Sequence, residues 1–120
     1  MLFFLIAGHA LMDFALQSDA MAVCKCRRTD NPIQKSVPWF YWLTAHALLH
    51  GAAVGVVLHW TTNNWDLALG FALAETVVHW FIDWGKCERL YNIHVDQGLH
   101  VGCKVLWWSL IAFEVVKVTA

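Results

Sequence analysis

Five pairs of histidine or acidic residues stand four positions apart in this chain: His9/Asp13, His46/His50, Glu75/His79, His79/Asp83 and Asp96/His100. With seven histidines and nine acidic residues among 120, random placement would give roughly two such pairs. Residues four apart share a helix face, with Cβ atoms about 5–6 Å apart, so each pair can present two donors to one centre. Imidazoles mixed with carboxylates suit zinc, iron or manganese better than copper(I) or calcium. The expected ligands are His9, Asp13, His46, His50, His79, Asp83, Asp96 and His100. Eight candidates exceed the three or so side chains that hold a catalytic zinc. Either two divalent ions share a bridging carboxylate, or some of the eight act from behind the ligands.

Other polar residues flank this set. Glu75 lies one turn before His79, Gln17 one turn after Asp13, and Gln97 beside Asp96, all placed to support a ligand or touch a substrate. Lys86 and Arg89 could hold an anionic head group. One of Asp13, Asp83 and Asp96 is the candidate general base. His59, near a helix end, and His94, expected in a loop, are left out, and Lys104 and Lys117 are expected to snorkel toward the interface.

The elements that must position these residues are set by hydropathy. The chain is 59% hydrophobic and 14% charged, well outside the soluble norm, and contains four stretches near the ~20 residues that a spanning helix needs: 2–21, 38–60, 66–85 and 96–118. The expected fold is all-α, a single transmembrane domain over 1–120 built as an antiparallel four-helix bundle. No basic stretch precedes Leu2 and no cleavage site precedes a soluble domain, so the first segment is expected to be a permanent helix rather than a signal peptide. A buried Asp at the centre of such a helix costs ~2.5–3.5 kcal/mol, whereas an apolar residue returns only ~0.3–0.6. Asp13, Glu75 and Asp83 therefore need compensation. A divalent cation supplies it to several ligands at once, and protonated carboxyls bonded to histidines are the alternative.

Loops 24–37 and 86–95 carry Lys25, Arg27, Arg28, Lys35, Lys86 and Arg89, whereas the connection 61–65 has no basic residue. The positive-inside bias puts the two basic loops in the cytoplasm and both termini on the opposite side of an inner membrane. Gly51, Gly55, Gly70, Gly98 and Gly102 are expected at close helix contacts. The eight tryptophans are expected mainly as interfacial anchors. Cys24, Cys26, Cys87 and Cys103 are read as reduced thiols, with a thiolate metal site as the alternative. Net charge is −1, which leaves no electrostatic footprint for nucleic acid. Membrane lipid is the expected partner, with a homo-oligomer or a larger assembly also open.

The strings GHALMDFALQ (8–17), HALLHG (46–51), HWFIDWGK (79–86) and DQGLH (96–100) resemble the small bacterial and phage membrane family known as domain of unknown function 3307. The resemblance covers essentially the whole chain. It implies successive spanning helices whose motif positions are His9, Asp13, Gln17, His46, His50, His79, Asp83, Lys86, Asp96, Gln97 and His100, and it implies no activity. The family is in turn distantly similar to membrane-bound metal hydrolases with His and Asp on spanning helices, which gives a metal hydrolase as an expectation by analogy.

The leading expectation is a membrane-embedded, metal-dependent hydrolase acting on a lipid-derived substrate at the cytoplasmic leaflet. The alternatives are a His/Asp ion or proton relay, haem ligation by histidine pairs, and a noncatalytic subunit in which one or two ions staple the helices.

Overall fold

The computed structural model describes residues 1–113, and within them every regular element is helical. The longest are α3, Trp39–Thr62, and α4, Trp65–Cys87. Each is long and apolar enough to cross a membrane. Asn63 adopts a left-handed φ of 52° as the C-cap of α3, and the Asn64 side chain accepts from Leu67 N to start α4. Two residues thus reverse the chain, and the helices run antiparallel. Their contact is tight at Gly51, where an added Cβ would lie 2.5 Å from the Ala72 carbonyl oxygen and closer still to the Thr76 hydroxyl. Gly55 meets the Ala72 side chain in the same seam, but Gly70, Gly98 and Gly102 face open space. The expectation of close packing at those three is corrected.

The first apolar segment is not one helix over 2–21. It begins as α1, Leu2–Ala10, widens into a π-turn at Leu11–Ala15, and ends where Ser18 caps a separate short helix, α2, Asp19–Cys24. Leu16 N reaches back to Leu11 O at 2.9 Å, the wider spacing of a π-turn, and the Gln17 amide donates to the Asp13 carbonyl at 2.8 Å. Ser18 followed by Asp19 was the sequence sign of a new helix start. The last helix, α5, Ile93–Ala112, starts a turn earlier than expected because the Asn92 side chain accepts from Val95 N. His94 therefore sits in its first turn rather than in a loop. Positions 114–118 of the expected helix, Lys117 included, lie outside the described residues.

α1 packs on α3 and α5, α3 on α4, and α4 on α5, which closes a ring of four helices. Along the ring the interior changes character. At one end Leu5, Val54, Leu58, Leu67, Ala68, Phe71, Trp107 and Ile111 form an apolar core. Toward the other end, where α2 and both basic loops lie, the buried residues include His9, Asp13, His46, His50, Glu75, His79, Asp83, Asp96, His100 and Lys104, with Leu43 and Ala47 packed among them. The outward faces of the helices carry large apolar side chains, with Phe3, Phe14, Val56 and Leu73 all more than 65% exposed.

Candidate metal centre

Each helix delivers its donors from one face, as the four-residue spacing requires. The rings of His50 and His79 stack at 3.7 Å between centroids, and those of His79 and His100 at 4.1 Å. Asp13, carried inward by the π-turn, sits against the start of α3: its Oδ1 lies 3.2 Å from His46 Nε2 and 3.1 Å from His50 Nε2. Ligands of a tetrahedral zinc with bonds of about 2.0–2.1 Å are about 3.3–3.4 Å apart, so these spacings already match the edge of a coordination polyhedron. Asp13, His46, His50 and His79 each offer a donor within 4.8 Å of the others; so do His9, His79 and His100, and so do Asp13, Asp96 and His100. The clusters could bind a metal.

Burial without satisfaction is the second mark of the site. Among the described residues, His46 Nε2, His79 Nε2, both ring nitrogens of His50, Asp13 Oδ1 and Asp96 Oδ1 are buried and make no hydrogen bond. Native interiors leave few such groups, and each costs about 1–3 kcal/mol.

The other two carboxylates are neutralised by lysines. Lys25 donates to Asp83 Oδ2 at 2.5 Å with its side chain 3% exposed, and Lys104 donates to Glu75 Oε1 deep in the bundle. Trp107 Nε1 completes Glu75 by donating to Oε2 at 2.6 Å. Glu75 Oε1 also lies 3.4 Å from His79 Nδ1, which turns the other nitrogen of that ring toward the cluster. Asp83 Oδ1 lies 3.1 Å from His100 Nε2. Asp83 belongs to none of the three donor groups, although its Oδ2 also lies 3.3 Å from His46 Nε2. Gln97 is the linker of the site: its amide donates to Asp13 Oδ2 at 2.8 Å and to Asp96 Oδ2 at 3.2 Å, and its carbonyl lies 3.0 Å from His9 Nε2.

Lys25, Lys104 and Trp107 were not foreseen in the site. Lys104 does not snorkel and Trp107 does not anchor at an interface; both are buried against Glu75. The readable sign was that Lys104 lies one turn after His100 on the same face as Asp96. Lys25 had no periodic signal. It is held by its neighbours: Cys26 forms a disulfide with Cys87, their Cα atoms 4.9 Å apart, and Arg27 and Arg28 both pair with Glu88. The reading of four reduced thiols is corrected for this pair, since the segment 25–37 that joins α2 to α3, here called the strap, and the end of α4 approach within bridging distance, while Cys24 and Cys103 are free. Bonding from Arg27 and Arg28 lowers the Glu88 pKa to about 2. Tyr91, which burial and the nearby carboxylates push up, donates to the Ile82 carbonyl beside Gly85. Lys86 is half-buried and Arg89 exposed, both at this end of the bundle.

No curated protein and no solved structure matches the chain. A family model does, described as protein of unknown function (DUF3307), and it spans residues 1–119. That span takes in every helix, the strap and all the donors just described, so the chain belongs to the DUF3307 family.

Proposed function

We propose that this protein is a membrane-embedded, metal-dependent hydrolase whose centre holds a divalent transition metal, zinc before iron or manganese, and whose substrate is derived from lipid. The observation that carries the reading is that Asp13 and Asp96 are buried carboxylates with no lysine or arginine partner among the described residues, each with an unbonded Oδ1, and that Asp13 faces the Nε2 atoms of His46 and His50, which make no hydrogen bond either. A divalent ion neutralises the former and satisfies the latter together.

Four spanning helices fit the surface as well as the interior. Ionisable groups in a bilayer face the bundle interior, and here large apolar side chains point outward while the polar ones are enclosed. α5 is 20 residues long, about 30 Å at 1.5 Å per residue. The apolar run Leu2–Ala15 is shorter, and α1 would reach across with flanking residues or local thinning of the bilayer. The basic loops 24–37 and 86–95 favour a cytoplasmic position for the metal end.

The ion, when bound, would bring the pKa of a water toward neutrality and so supply hydroxide. Asp83 is the best-placed base, outside the donor groups and oriented by Lys25 and His100. Glu75, clamped by Lys104 and Trp107, orients His79. An apolar groove of about 390 Å³ lined by Met21, Val37, Tyr41, Trp42 and Ala45 runs beside the start of α3 and suits an acyl chain. Lys86 and Arg89 suit an anionic head group at the same end. With the donors almost fully buried, substrate entry requires the Lys25 strap to lift.

A relay across the membrane is disfavoured by the core of Leu5, Val54, Leu58, Phe71 and Trp107, which fills the other half of the interior. The test is hydrolysis of ester, amide and phosphoester lipids by the full chain in liposomes. Activity that a chelator removes and zinc or manganese restores is expected. A metal-loaded protein inert toward all three classes would leave the ion a staple between helices and overturn the hydrolase.

A further inference from the structure

We infer that the centre is dinuclear, with Asp13 as the bridging ligand between two divalent cations. The inference rests on the metal-binding reading above and deepens it. The three donor groups overlap pairwise: the first and second share His79, the second and third share His100, and the first and third share Asp13. A carboxylate can give one oxygen to each of two ions. An imidazole can join two ions only through its opposite nitrogens after losing its ring proton. The pair of groups that can fill together without that step is the one sharing Asp13.

The orientation of Asp13 fits this role. Its Oδ1 faces the imidazoles of α3, His46 and His50. Its Oδ2 faces α5, where the Gln97 amide donates to it and to Asp96 Oδ2, drawing the two carboxylates around one point. Asp96 Oδ1 is buried and unbonded, 3.6 Å from His100 Nε2; that nitrogen is held by Asp83 Oδ1, and Nδ1 is the unbonded donor of the ring. One position would be held by Asp13, His46, His50 and His79, the other by Asp13, Asp96 and His100. His9 stays outside because its group would take His79 from one position and His100 from the other, and Asp83, in none of the groups, is held by Lys25. Two-metal sites of this kind, with ions about 3.5–4 Å apart, clamp the attacking and leaving oxygens of a displacement. Two divalent ions against the Asp13 and Asp96 carboxylates leave excess positive charge, which favours an anionic substrate, a phosphoester above a neutral ester.

The test is elemental analysis and electron paramagnetic resonance of the full chain in detergent, stripped and reloaded with manganese(II). Two equivalents with an exchange-coupled spectrum are expected, falling to one equivalent with the sextet of an isolated ion in Asp96→Asn. His100→Gln, checked for retained helicity, gives the same change by removing a different donor. One uncoupled equivalent in the unsubstituted protein would overturn the dinuclear assignment and leave the metal reading standing. No bound manganese, zinc or iron would overturn both. Two equivalents that persist in both variants would remove the second position from Asp96 and His100.

Discussion

The two ends of the bundle are built on the same stripes of residues and filled with opposite chemistry. On α3 the buried face runs Leu43, His46, Ala47, His50, Val54, Leu58; on α4 it runs Phe71, Glu75, His79, Asp83; on α5 it runs Asp96, His100, Lys104, Trp107, Ile111. Each stripe groups its donors in one stretch and is hydrocarbon beyond it, with Leu43 and Ala47 packed around the histidines of α3. Helix geometry is therefore indifferent to the site. The apolar end is held by close packing and needs nothing further, whereas the donor end encloses carboxylates and unbonded imidazoles that packing alone cannot stabilise. The level of Glu75, Lys104 and Trp107 is the seam between the two regimes.

The sharpest way to break this contrast is at the seam. Lys104→Met leaves Glu75 buried and unpaired and is expected to cost about 3–5 kcal/mol; adding Glu75→Gln restores most of the loss, as thermal unfolding in detergent will show. Next comes a paired comparison of the two ends. Leu58→Ala, in a fully buried position, is expected to cost about 2–5 kcal/mol whether or not a chelator is present. His46→Ala with His50→Ala is expected to cost up to about 4 kcal/mol at saturating metal and nothing extra once metal is stripped. Equal chelator dependence of the two variants would erase the distinction.

Smaller effects test the strap. Reduction of the Cys26–Cys87 bond by a dithiol is expected to raise hydrolytic turnover a few-fold, since it frees the segment that seats Lys25 on Asp83. In a reducing cytoplasm the bond would be transient. Mass spectrometry of alkylated thiols in intact cells reads its state, and a permanently oxidised pair would contradict the cytoplasmic placement. The smallest effect belongs to Glu88. Its pKa is lowered from 4.5 to about 2, so the pairing with Arg27 and Arg28 contributes stability that is complete above pH ~4.5 and fades as pH falls toward 2. Arg27→Ala with Arg28→Ala is expected to unfold slightly earlier at pH 6 and to converge with the unsubstituted protein below pH 2.

The helical fold and the histidine–carboxylate pairs were legible because both depend on spacing along one helix. Asp13 shows the limit. Its pairing with His9 could be read from the chain, but its seat against His46 and His50 depends on a π-turn, and a widened turn leaves no periodic trace. Lys25 was assigned to loop charge, and its burial follows from pairings across 58 to 61 residues, Lys25 with Asp83, Cys26 with Cys87, and Arg27 and Arg28 with Glu88, which spacing along the sequence cannot supply. Lys104 was misplaced by a general rule about long cations at helix ends, although its position on the Asp96/His100 face argued for burial beside Glu75.

The most direct test is the metal content of the full-length protein purified from cells in mild detergent, measured beside His46→Ala with His50→Ala. At least one equivalent of a divalent transition metal is expected in the first and close to none in the second, with helicity retained in both. A folded protein that carries no such metal, or that keeps it when both imidazoles are gone, would contradict the centre on which the account is built.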